Sequence, residues 1–178
     1  MTNSDAARTP LSRPDTSQLR AFGETPGQMR GQLDAAFERF EADLRKVQGH
    51  WLSAPAEGRW SPAQVTEHVL IVNEGIAKII RLLLSDKPLR PLERTPGVQQ
   101  GGKREAPASL RPGQGQPWEA LQERWQASRE RLSELSSHLE GADLSRRMFH
   151  PFYDDLDAHN WMRMAIAHTR QHRRQLAE

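Results

Sequence analysis

Residues 61–84, SPAQVTEHVLIVNEGIAKIIRLLL, decide the fold. Ser61, then Pro62, then Gln64 at the third helical position form a capping box with proline in the first turn, so a helix starts here. Val65, Val69, Val72, Ile76, Ile79 and Leu83 recur at steps of three and four, which gives that helix one apolar stripe. His68 falls within the stripe, three residues after Val65 and four before Val72. A polar ring in a core stripe is unfavourable unless it finds a partner.

The same reading, carried outward, finds three more helices. Thr25-Pro26 is an N-cap followed by proline, and Met29, Leu33, Phe37, Phe40, Leu44, Val47 and Trp51 make a second seam on its C-terminal side. A helix beginning at Pro117 carries Trp118, Leu121, Trp125, Leu132, Leu135 and Leu139 on one side, with Gly141 as its stop. The last helix starts near Asp157, a good N-cap, and shows Trp161, Met164 and Ala165 before His168 and His172. Strand signals are nearly absent, and four amphipathic helices predict an all-α four-helix bundle.

Helices two and three are separated by about thirty residues, 85–116, rich in Pro and Gly. A bundle turn needs only a few residues, so this segment predicts a long crossover. It lets helix three start in the same direction as helix two, with helix four antiparallel to helix two. His68, near the start of helix two, then stands level with His168 and His172, near the end of helix four. A tight turn would leave them roughly 15 Å or more apart along the axis.

Three core-facing imidazoles point to a metal centre, with His68, His168 and His172 as ligands. A lone i,i+4 histidine pair is weak evidence; the weight lies in the position of all three on apolar stripes. With no fourth protein ligand in view one coordination position stays open, as in catalytic rather than purely structural zinc sites, and zinc or nickel suits imidazole. His168-Thr169-Arg170-Gln171-His172 lacks the glutamate of the metalloprotease helix, which argues against peptidase chemistry. Glu67 reads as a solvated glutamate rather than a general base, and Asn73 and Gln64 as candidate outer partners of the ligands. His50, His138 and His159 lie near helix ends, whereas His150, before Pro151, reads as a loop-ordering residue that could line the site mouth. Arg163, Arg170, Arg173 and Arg174 read as a solvated outer arc.

Composition bounds the rest. The 178 residues suit one domain: a flexible polar tail over 1–25, rich in Ser, Thr, Pro and charge, and a bundle over 26–178. With no cysteine, disulfides, thiolate zinc sites, iron–sulfur clusters and a cysteine nucleophile are excluded. The 25 Lys and Arg exceed the 23 Asp and Glu by two, too small an excess to predict a nucleic-acid partner. No signal peptide and no membrane span can be read in the chain, which predicts a cytoplasmic protein with no membrane partner.

Trp60-Ser61-Pro62 with His68 following, Phe149-His150-Pro151 before the last helix, and His168-x-x-x-His172 with trailing Gln175 together resemble the DinB-like superfamily. The branch is the one that includes the YfiT-type metal-dependent hydrolases, and the resemblance covers about residues 28–178. It departs at Asp154-Asp155, where the family often has a glycine after the His-Pro element. The resemblance implies a divalent metal on the three histidines, a homodimer, and action on a small-molecule substrate in stress or detoxification. Some members are transferases or isomerases using a low-molecular-weight thiol such as bacillithiol or mycothiol. Hydrolysis would benefit from a base beside the metal, and no carboxylate shares the histidine layer, whereas a coordinated thiol is deprotonated by coordination itself. Metal-dependent thiol S-transfer is therefore expected ahead of hydrolysis. The rival reading is a non-catalytic interaction or dimerisation module with a structural metal or none.

Overall fold

Ser61 Oγ accepts from the Gln64 N–H at 3.2 Å and Gln64 Oε1 from the Ser61 N–H at 3.0 Å, so the capping box forms as the sequence predicts. It opens α2, Pro62–Leu83, a helix about 33 Å long at ~1.5 Å per residue. The computed structural model describes residues 15–100 and 103–176. α1 spans Pro26–Lys46 and is opened by a second capping box, Thr25 with Gln28. Its seam continues beyond Lys46 through a 3-10 turn, Gln48–His50, from which Val47 and Trp51 still pack inward.

α3 spans Trp118–Ser137 and α4 Ala158–Leu176, the latter with Asp157 Oδ1 accepting from the Asn160 N–H at 2.9 Å. α3 stops four residues before Gly141. Ser136 Oγ and Ser137 Oγ donate to the carbonyls of Ser133 and Glu134, both at 2.6 Å, and so satisfy the terminal acceptors early. Gly141, at φ +71°, shapes the turn that follows.

Each helix packs chiefly on two others: α1 and α2 both lie between α3 and α4. The helix directions follow from what meets at the ends. Arg146, which precedes the segment leading into α4, donates to Leu83 O at 3.0 Å and Lys87 O at 2.6 Å at the end of α2, and His68 early in α2 meets His168 and His172 late in α4, so α4 runs antiparallel to α2. Trp51 Nε1 donates to Gln116 O at 2.7 Å while Trp51 O accepts from the Ala63 N–H at 3.0 Å, so α3 begins where α2 begins. The long linker is therefore a crossover.

On its way back the crossover makes a small ribbon, β1 (Gln99–Gln100) with β2 (Lys103–Arg104). It also grips a hairpin the sequence did not signal, β3 (Met148–His150) with β4 (Asp154–Leu156). The Gly97 N–H donates to Pro151 O at 2.9 Å, and a Cβ at Gly97 would fall 2.2 Å from the Phe152 ring. Arg94 lies over the Phe149 ring and pairs with Asp155 at 2.9 Å and with Asp154.

The stretch 1–25, read as a tail, is folded from Asp15 onward; residues 1–14 lie outside the described ones. Thr16–Phe22 is a 3-10 helix whose Leu19 is buried, and Gly23, at φ +121°, turns the chain into α1. Two apolar side chains, Leu19 and Phe22, anchor a segment whose average composition is polar. The same segment corrects the reading of Arg163. That guanidinium is buried, with Nε donating to Gly23 O at 2.8 Å and Nη2 to Glu24 O at 3.1 Å. Arg170 is half-buried over the Phe22 ring and donates to Gln32, Arg173 lies 3.6 Å from Asp43, and Arg174 is exposed.

Candidate metal centre

His68, in the second turn of α2, and His168 and His172, on the last turns of α4, meet in one cluster. Their rings lie 4.3–4.9 Å apart between centroids, and one ligand nitrogen from each falls within 4.8 Å of the others. His68 Nε2 and His168 Nε2 stand 3.1 Å apart. Two nitrogens bound to one tetrahedral zinc at ~2.0–2.1 Å are roughly 3.3 Å apart, so this pair is spaced like two ligands of one ion.

Hydrogen bonds set which nitrogen two of the three rings offer. His68 Nδ1 lies 2.6 Å from Leu110 O in the crossover; a carbonyl can only accept, so Nδ1 carries the hydrogen and Nε2 keeps its lone pair. His172 Nδ1 is likewise 2.9 Å from Gln175 Oε1. These are the outer contacts that orient metal-binding imidazoles. His168 Nδ1 is shut off from solvent and has no hydrogen-bond partner among the described residues. The donor set, three neutral imidazoles with no carboxylate in the cluster among the described residues, could hold a borderline divalent ion.

Burial keeps the rings neutral. Desolvation lowers the His68 pKa, pushes His168 well below 6.5, and brings His172 to about 4; His168 is lowered further by His172, His68 and His150. In the unfolded chain these groups take up protons near pH 6.5. Above that value neither state is charged and the stability is complete. As pH falls from 6.5 towards 4 the unfolded state gains protons that the folded state refuses, so the metal-free protein loses stability. His172, with its pKa at about 4, contributes up to about 1.4 kcal/mol per pH unit within that window. The urea midpoint of metal-free protein should drop between pH 7 and pH 5.5, and a constant midpoint would contradict neutral burial.

An aromatic wall flanks the site. Trp60, half-buried, packs its indole 4.9 Å from the His68 ring and 6.4 Å from His172. His150 lies on β3 with its ring 5.1 Å from that of Trp161. Its Nδ1 accepts from the Phe152 N–H at 3.1 Å, and burial brings its pKa to about 4. The loop-ordering role is thus present. His138 and His159 bond the carbonyls of Glu134 and Leu139, both at 3.0 Å, and His50 is exposed, all outside the cluster.

Glu67 departs from its reading as a solvated residue. It is 5 % exposed, and its Oε2 accepts from the Gly113 N–H at 3.1 Å. The returning crossover covers this side of α2, which no local pattern in α2 could announce. Gln64 Nε2 donates to Gly113 O at 3.0 Å, so Gln64 pins the same segment instead of touching a ligand ring.

The sequence model of the DinB superfamily matches residues 27–176. YuaE of Bacillus subtilis (strain 168), an uncharacterized protein, is 23% identical over 128 residues, which span 70% of this chain and 79% of YuaE. The crystal structure of TT2238, a four-helix bundle protein, aligns with a TM-score of 0.56 at 26% identity, covering 83% of this chain and 94% of that one. No described helix is long and apolar enough to cross a membrane.

Proposed function

This chain belongs to the DinB superfamily, and given that membership we propose that it holds one divalent ion, zinc or nickel, on His68, His168 and His172 and uses it in chemistry on a small molecule. The observation that carries the reading is the pair of outer hydrogen bonds. Leu110 O and Gln175 Oε1 hold the Nδ1–H of two rings, leaving Nε2 lone pairs for the ion. A divalent ion there would supply Lewis acidity and make a thiol or water entering its open position more acidic.

Thiol S-transfer is favoured over hydrolysis by what surrounds the rings. The one buried carboxylate beside them in sequence, Glu67, is occupied by the Gly113 N–H and stands outside the cluster, so it is poorly placed to accept a proton there. Trp60 gives the site an apolar wall that suits the carbon skeleton of a small electrophile or of a low-molecular-weight thiol such as bacillithiol.

The test is metal content by elemental mass spectrometry on tag-free protein purified without chelator, beside the His68→Ala variant. About one zinc or nickel per chain, lost in the variant, is the expected result and justifies assaying thiol transfer. No metal in either protein after reconstitution would make the histidines core residues and favour the non-catalytic module.

A further inference from the structure

We infer that Asn73 of α2 is the positioning residue for His168: its Oδ1 receives the His168 Nδ1–H, directly or through one bridging water, and so directs His168 Nε2 to the ion. The inference rests on the metal reading above. Two ligand rings have an oxygen on Nδ1 and the third has none, although its Nδ1 is shut away from solvent. A ring that binds through Nε2 carries its hydrogen on Nδ1, and leaving that buried donor unmet is unfavourable. The structure contains a matching defect. Asn73 is fully buried, and its Oδ1 is an acceptor with no donor among the described residues.

Position joins the two. Asn73 Nδ2 donates to Thr169 Oγ1 at 3.2 Å, and Thr169 is the residue after His168. That contact holds the Asn73 amide against α4 at the level of the cluster and leaves Oδ1 free of the hydroxyl. The other buried side-chain atoms without a partner compete poorly. Trp161 Nε1 and Arg170 Nε are donors, so neither can receive the His168 hydrogen, and Ser128 lies on α3. Trp161 is also a poor claimant on Asn73, because eight residues separate it from Thr169, about 12 Å along the helix.

Zinc affinity should be measured by chelator competition on the wild type, Asn73→Leu and Asn73→Asp, with the fold of each checked by circular dichroism. Outer partners of this kind are worth about 10–100-fold in metal affinity, so the leucine variant should bind zinc more weakly by that factor. The aspartate variant keeps an acceptor and should bind at least as tightly as the wild type. Equal affinity in wild type and Asn73→Leu, or an equal loss in both variants, overturns the assignment. Should the leucine variant not fold, long-range proton–nitrogen imidazole spectra of the zinc-loaded wild type still decide. His168 must show zinc on Nε2 and a slowly exchanging hydrogen on Nδ1, and ligation through Nδ1 refutes the proposal. A wild type that takes up no zinc would instead sink the metal reading itself.

Discussion

Replacing His168 by alanine should lower zinc affinity by more than about a hundred-fold, since even an outer partner of a ligand is worth about 10–100-fold. The ring stands at the centre of the cluster: His68 Nε2 is 3.1 Å from its Nε2, and the His172 ring 4.3 Å from its own. With it gone, the two remaining imidazoles come from different helices and make a two-ligand site open to solvent. The metal-free fold should survive. Alanine is the best helix former, and the substitution removes a buried nitrogen that has no partner, which offsets part of the lost packing. Elemental analysis and circular dichroism together check this. Undiminished metal content would sink the site assignment, and collapse of the helical signal would make His168 a core residue first.

The second large effect lies on the far side of the bundle. Trp125 of α3 is buried, edge-on to Phe37 at 5.1 Å and stacked on Phe40 at 4.8 Å, and its Nε1 donates to Glu41 Oε1 at 2.9 Å. Trp125→Ala should cost about 3–5 kcal/mol, because three aromatic rings form one contact and the backbone can only partly close the space. A domain of this kind has only about 5–15 kcal/mol in total, so the loss should appear as a fall of roughly 6–20 °C in the melting temperature. Glu41 retains Arg129, at 3.1 Å, and is not stranded as a lone charge. Calorimetry on Trp125→Ala and Trp125→Phe separates ring packing from the indole hydrogen bond. A fall below about 1 kcal/mol in the alanine variant would show that this cluster does not lock α1 to α3.

Much of this was legible before any coordinates because it is governed by short-range rules. The capping box that opens α2 needs four residues and the N-cap with proline that opens α1 needs two, while the stripes of α1, α2 and α3 need only helical periodicity. The histidine cluster was legible for a different reason. A polar ring on an apolar stripe is locally anomalous, and the length of the 85–116 linker permits one arrangement that brings the three anomalies together. The β3–β4 hairpin was not legible, since strands of three residues are too short to show alternation. The burial of Glu67 and Arg163 was not legible because their covers, the Gly113 N–H and the Gly23 carbonyl, lie 46 and 140 residues away.

By itself, then, the sequence determined the four helices, the crossover and the identity of the three rings, because each follows from hydrogen bonding and apolar spacing within a few turns of chain. The tertiary structure alone decided which nitrogen His68 and His172 leave free, which carboxylate is turned away from the cluster, and that Asn73 lies buried against Thr169. Those outcomes depend on single hydrogen bonds between segments far apart in sequence. The direction of such a bond is set by packing, which no local pattern encodes.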